Sequence, residues 1–294
     1  MTAERLVLAF TLAMAAVAGW RLAPSAIAPA AVAASTAAPQ RILSCSPVAD
    51  AWLPELVEPG RIIGASAWFR DHHPLAFRIA ATAAIASIDR VEAIRALAPD
   101  LVVVSDTHGD PRRVARLRDA GLAVLDLGAS AGRSTAGDQL RALGVAVGAT
   151  DRAMTLALTL ERRLAQAAAD IPPERRPRAV VAQVWGDDLS LATIGSSAHD
   201  ALVAGGCIDA AADRWRGWPR IAMEELAALD PQVVVCAAGH GDRLRRLPGA
   251  ERVAALHRPG GVVELAPALL EDPGRLLADA AEAIRAAVHG EPGR

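Results

Sequence analysis

VEAIRALAPDLVVV, from Val91 to Val104, and MEELAALDPQVVVC, from Met223 to Cys236, are two copies of one pattern. At an offset of 132 residues they share Glu92/Glu224, Ala96/Ala228, Leu97/Leu229, Pro99/Pro231, Val102/Val234 and Val103/Val235. Each copy reads as a short helix, a proline stop and a strand. Ile94 and Leu97 are three apart, as are Leu226 and Leu229, so each pair shares one helical face. Proline cannot continue a helix and biases the residue before it towards extended backbone. The runs LVVV and VVVC are apolar without alternation, as in a strand covered on both faces. Two such units predict two similar α/β lobes.

The flanking sequence supports that division. RILSCS (41–46) is a strand closed by Pro47, followed by a helix through Leu56 and a second strand, RIIGASA (61–67). LVVVS (101–105), an Arg-rich helix over 111–120 and LAVLDL (122–127) continue the alternation that builds a parallel sheet. Residues 136–170 carry no strand signal. A long helix is expected from Asp151 to Ala169, with Leu156, Leu160 and Leu164 on one face and Ile171-Pro172-Pro173 as its stop. Strands resume at AVVAQVW (179–185), LATIG (191–195) and GVVELA (261–266), and a helix over 274–288 ends the fold. The expected architecture is therefore α/β: two Rossmann-like α/β lobes bridged by one long α-helix. The lobes fall at 41–148 and 173–294, with the bridging helix in 149–172.

The first 40 residues differ in kind. Arg5 precedes an apolar run, Leu6 to Gly19, and Ala-x-Ala sites follow at Ala26–Ala28 and Ala31–Ala33. This predicts a secretory signal peptide and a disordered junction, with an uncleaved anchor as the alternative. Apolar residues make up 52% of the chain, enough for two cores; all 31 basic residues are Arg and there is no Tyr. Net charge is −2 with no basic stripe, which disfavours nucleic acid as a partner. The cysteines, Cys45, Cys207 and Cys236, have no zinc spacing; an oxidising compartment would permit a Cys207–Cys236 disulfide.

The order and spacing of these elements resemble the periplasmic substrate-binding proteins of ABC importers for vitamin B12, haem and ferric siderophores, over about residues 41–288. The resemblance rests on Arg41-Ile42-Leu43-Ser44 with Ser46-Pro47, and on Arg61-Ile62-Ile63-Gly64. It rests also on Glu92-x-Ile94-x-x-Leu97-x-Pro99-Asp100, on its echo Glu224-x-Leu226-x-x-Leu229-Asp230-Pro231, and on Pro273-Gly274-Arg275-Leu276. It implies two lobes joined by one helix with a ligand in the cleft. It also implies a periplasmic location, a small metal-chelate ligand, delivery to a permease dimer, and no catalysis or cofactor; a monomer is expected. Two departures stand out. Asp50-Ala51 replaces the family's Thr-Glu, and Trp stands in for the tyrosines that often line the cleft.

Ligands of open parallel sheets sit beyond the carboxyl ends of the strands. The candidate ligand contacts are therefore Ser46, Trp68, Phe69, Arg70, His72, His73 and His108 in the first lobe, and Trp185, Trp215, Arg216, Trp218 and His240 in the second. Asp106 and Asp187 lie in the same loops. Exposed Trp offers a rigid surface to a flat macrocycle, and Arg pairs with propionate, phosphate or siderophore oxygens. His72 and His73 could supply an axial ligand or, with His108 and His240, hold a bare metal ion; adjacent histidines on an extended chain point opposite ways. By the resemblance, Glu92 and Glu224 lie on the outer surface, one per lobe, and meet permease arginines. Asp89-x-x-Glu92 also fits a capping box. The alternatives to a solute-binding protein are a bare metal-ion binder, a secreted chelatase-like enzyme, or a sensor that never meets a permease. No HExxH, GxGxxG or nucleophile–base spacing favours the enzyme.

Overall fold

The structure, a computed structural model, describes residues 37–79, 83–85, 87–105, 110–272 and 274–290. The leader expected over residues 1–40 therefore lies almost wholly outside the described residues. In chain order the first lobe contains β1 (Ile42–Ser44), α1 (Pro47–Leu56), β2 (Ile62–Ser66), α2 (Ala67–His72), β3 (Ala83–Ile85), α3 (Val91–Ala96), β4 (Leu101–Val104), α4 (Pro111–Asp119), β5 (Val124–Asp126) and α5 (Arg133–Val147). α6 (Thr150–Gln166) then leads to β6 (Arg178–Trp185), β7 (Asp188–Ala192), α7 (Ser197–Ala204), β8 (Ile208–Asp209), β9 (Arg220–Ile221), α8 (Met223–Leu229), β10 (Val233–Ala237), α9 (His240–Arg246), α10 (Ala254–His257), β11 (Val262–Leu265), α11 (Pro267–Glu271) and α12 (Leu277–His289).

The strands form two sheets. The first is parallel, in the order β3-β2-β1-β4-β5; the second runs β11-β10-β6-β7-β9, with β8 on β6. β11, β10 and β6 are parallel, whereas β6, β7 and β9 form an antiparallel meander. Val103 and Val235, from the two copies of the repeat, thus lie in different sheets. Alternate residues of the central strands enter different cores. Ile42, Leu101 and Val103 face one side while Leu43, Val102 and Val104 face the other. Val233 and Val235 likewise oppose Val234 and Cys236. A sheet covered on both faces removes the polar alternation a half-exposed strand would show.

The repeat holds at atomic detail. The Arg41 guanidinium covers the carbonyls of Leu97 and Ala98, at 2.7 and 2.9 Å, and Arg178 covers that of Leu229 at 3.0 Å. The backbone N–H of Arg41 donates to the Asp100 carboxylate, and that of Arg178 to the Gln232 amide, each at 2.9 Å. The residue before each proline is not extended: Ala98 and Asp230 take φ of 45° and 46°. Each helix closes on this left-handed turn, and the arginine satisfies carbonyls that the helix end leaves free.

The capping box that Asp89-x-x-Glu92 fits is not formed, nor is the disulfide that an oxidising compartment would permit. Asp89 does not cap α3; its carboxylate pairs with Arg113 and Arg116 at 2.8 and 2.6 Å, and Arg90 occupies the cap position without a side-chain bond. Cys207 and Cys236 are free, because they face opposite sides of the second sheet in separate cores.

The expected bridging helix is α6, and it does not stand alone: α5 packs antiparallel against it. The pair turns at Gly148, whose φ is 77°. The two helices approach closely enough that a Cβ on Gly144 would overlap the Ala153 methyl. One continuous apolar cluster, including Leu53, Leu140, Leu160, Leu202 and Ile284, runs through α1, α5, α6, α7 and α12 and joins the two sheets. Among the described residues no helix is long and apolar enough to cross a membrane.

Candidate functional site

The first-lobe strand ends carry a buried polar layer. Ser44 ends β1 and Ser46 follows it, Ser66 ends β2, Ser105 follows β4, and all are buried. Ser46 Oγ lies 2.5 Å from Ser105 Oγ and accepts the Ala49 N–H, capping α1. Ser66 caps α2 through the Phe69 N–H. Asp50, on the first turn of α1, accepts the Ser66 N–H at 3.0 Å. Its burial raises the carboxyl pKa from the usual acidic range to about 7. Hydrogen bonds from Ser44 and Ser66 oppose that rise without cancelling it.

These placements remove three residues from the set of direct ligand contacts. Ser46 is wholly buried and spent on the cap and on Ser105. Phe69 is 0% exposed, inside the core. His73 is buried too, its ring stacked on Phe69 at 4.4 Å. Successive residues of a helix point about 100° apart, so with Phe69 inward its neighbours Trp68 and Arg70 lie to either side. Both are half-buried. His72 closes α2, and His108 and Asp106 lie outside the described residues. Sequence reasoning missed Phe77, in the turn after His73: it is 73% exposed, more than any Trp of the candidate set, and only its aromatic type in a polar loop marked it.

The second-lobe candidates divide into two groups. Register sets Ala182 beside Cys236 and Cys236 beside Glu264, so Trp185, the last residue of β6, and His240, which follows β10, lie on the same, carboxyl edge of the sheet. Arg243 on α9 donates to the Gly186 carbonyl at 3.2 Å, tying His240's helix to the β6–β7 turn. His240 has a lowered pKa, from burial and then from Arg243, and its Nδ1 is buried without a protein partner. A neutral imidazole with a free nitrogen is the form that ligates a metal. Trp185 is 60% exposed.

Trp215, Arg216 and Trp218 are not on that edge. Thr193 N–H donates to the Gly217 carbonyl, Leu191 N–H to that of Pro219, and Arg216 bridges Ile194. This segment therefore runs beside β7, which is antiparallel, towards the other end of the sheet; the rule of strand carboxyl ends misplaced it because that rule assumes parallel strands. Trp215 packs on the second core under Arg214, 5.9 Å from its ring, whereas Arg216 and Trp218 are exposed. The adjoining loop touches the first lobe. A Cβ on Gly132 would overlap the Asp200 carboxylate and stand 2.9 Å from the Ser196 carbonyl oxygen.

With this geometry the chain can be set beside known proteins. A family model described as "Periplasmic binding protein" matches residues 52–257. The chain belongs to the periplasmic binding protein family. This binding protein is 29% identical to the vitamin B12-binding protein of Salmonella choleraesuis over 155 residues, 53% of its own length and 58% of that relative's. It is similar in structure to a periplasmic haem-binding protein from Pseudomonas aeruginosa, with TM-score 0.68, 25% identity, and 85% and 93% of the two chains covered. The periplasmic vitamin B12-binding protein of Vibrio cholerae shares the fold, with TM-score 0.65, 20% identity, and 85% and 96% covered. All three are named as binding proteins. On this periplasmic binding protein Glu92 and Glu224 are surface residues, their side chains 88% and 63% exposed, with ion pairs of 3.9 Å to Arg95 and 3.8 Å to Arg252. At such exposure neither pair fixes its glutamate firmly.

Proposed function

We propose that this chain is a periplasmic solute-binding protein. It captures a metal chelate — a corrinoid, a haem or a ferric siderophore — between its lobes and delivers it to the permease dimer of an ABC importer, docking through Glu92 and Glu224. The observation that carries this reading is the set of outward-facing groups in a member of this family. Phe77 in the first lobe, and Trp185 and Trp218 at opposite ends of the second sheet, expose wide aromatic surface, and Arg70 and Arg216 supply cations. Exposed aromatic rings with a few polar groups suit a large flat or lobed chelate. His72 and His108 are the candidate metal ligands. Among the described residues no group of three or more His, Cys, Asp or Glu could hold a bare ion.

The test is an absorbance titration of the purified protein with haemin, cyanocobalamin and a ferric hydroxamate. Saturable binding of one of them, with a Kd below about 1 µM, is expected. Saturation by none of the three overturns the reading.

A further inference from the structure

The two lobes are joined by more than α5 and α6. The turn after α11 leaves the second lobe and seats on the first. Asp272, buried, accepts the N–H groups of Gly274 and Leu276 with Oδ1, each at 2.8 Å, and meets His73 Nε2 with Oδ2 at 2.9 Å. His73 Nδ1 accepts the Leu75 N–H at 3.2 Å, so the ring proton is on Nε2 and points at Asp272. Both side chains are 0% exposed. Arg275 of the same turn lies 5.4 Å over the Trp52 ring and 3.6 Å from Glu55, both on α1.

A second contact crosses elsewhere. α5 begins at Gly132, which has no side chain to cap it. Asp200, on α7 of the second lobe, accepts the Arg133 N–H and so supplies the missing cap from across the boundary. Gly132 takes φ 62° and leaves room for that carboxylate, which a Cβ would not.

Each carboxylate is next to a proposed ligand-facing segment. His73 follows α2, the helix that carries Trp68, Arg70 and His72, and precedes Phe77. Asp200 follows the loop 193–196, which is bonded to Arg216 and Gly217 beside Trp218. We infer that Asp272 and Asp200 are positioning residues, which hold the ligand-facing segments of both lobes in place across the lobe boundary. This rests on the solute-binding reading for its ligand, but its first readout does not.

The test uses the full chain and the variants Asp272→Asn, which is isosteric, and Asp200→Ala, which removes the acceptor for the Arg133 N–H. The amide introduced by Asp272→Asn would keep an oxygen for Gly274 and Leu276 but turn an N–H towards the His73 Nε2–H, breaking the crossing bond alone. Amide hydrogen exchange should quicken at least about tenfold over 67–79 in Asp272→Asn, and over 129–136 and 193–196 in Asp200→Ala, with β10 and β11 unchanged. Affinity for whichever of haemin, cyanocobalamin or ferric hydroxamate binds the parent should fall about tenfold in each. Unchanged exchange in these segments overturns the inference, as does a uniform rise through both lobes. Local loosening with unaltered affinity overturns it too. If no probe binds the parent, the solute-binding reading fails, and the exchange pattern alone decides whether the two carboxylates hold these segments.

Discussion

Ala98 and Asp230 stand 132 residues apart and share a left-handed backbone, with φ of 45° and 46°, each one residue before a proline. Neither is glycine, so both positions carry the strain of a Cβ against the following carbonyl. The expected outcome of Ala98→Gly is a gain of about 0.5 kcal/mol, since relief of that strain exceeds the added freedom of the unfolded chain. Asp230→Gly should gain less, because Asp tolerates this region better than Ala. Urea unfolding midpoints at one pH check both; a loss of stability in Ala98→Gly would mean that the Ala98 methyl packs usefully.

Asp50 makes stability fall as pH rises. Its folded pKa is about 7 against an ordinary 3.8, so between those values the folded state holds a proton that the unfolded state has released. Stability then declines with pH across about 4 to 7, by up to about 1.4 kcal/mol per unit, and the loss is complete above the folded pKa. Asp50→Asn can still accept the Ser66 N–H and has no proton to lose. Its unfolding midpoint should be flatter than the parent's from about pH 5 to 8 and higher at about pH 8. Parallel curves for the two proteins would show that Asp50 is already ionised in the fold.

Phe77, Trp185 and Trp218 are 73%, 60% and 41% exposed, so truncation to Ala should leave stability within about 0.5 kcal/mol. Under the solute-binding reading each truncation lowers affinity for the bound chelate, by about tenfold where the ring lies against it. Fluorescence quenching and thermal melts on the same samples separate the two effects. Full affinity in all three variants would put the ligand elsewhere.

Glu92 and Glu224 begin the helices that precede β4 and β10, far along the chain from the carboxyl ends of those strands. Reversing both to Arg should leave chelate affinity within about threefold while abolishing uptake by cells carrying the importer, because like charges would then face each other at docking. Each single reversal should give a partial loss. Normal uptake by the double variant would reduce the glutamates to favourable helix-terminal charges; lost affinity would place them in the cleft.

Local elements and their duplication were legible in the chain alone. Unalternating runs such as Leu101–Val104 and Val233–Cys236 can only be satisfied by cover on both faces, and Pro99 and Pro231 fix where the helices stop. These are short-range constraints, whereas the matching contacts of Arg41 with Asp100 and of Arg178 with Gln232, 59 and 54 residues apart, form only once strands from distant parts of the chain pair. Which candidate side chains look outward was settled by contacts between distant parts of the chain. Ser46, Phe69 and His73 have the composition of a binding loop, but α2 turns Phe69 and His73 inward. What holds His73 there is Asp272, 199 residues away. Trp218 was legible as an aromatic in a polar stretch, yet its end of the sheet depends on β7 running antiparallel to β6. No periodicity within β7 encodes that direction, because hydrogen bonding to a neighbouring strand sets it. Asp200 and Asp272 gave no signal at all: a carboxylate on a surface helix and one that satisfies a group in the other lobe look alike until the chain has folded.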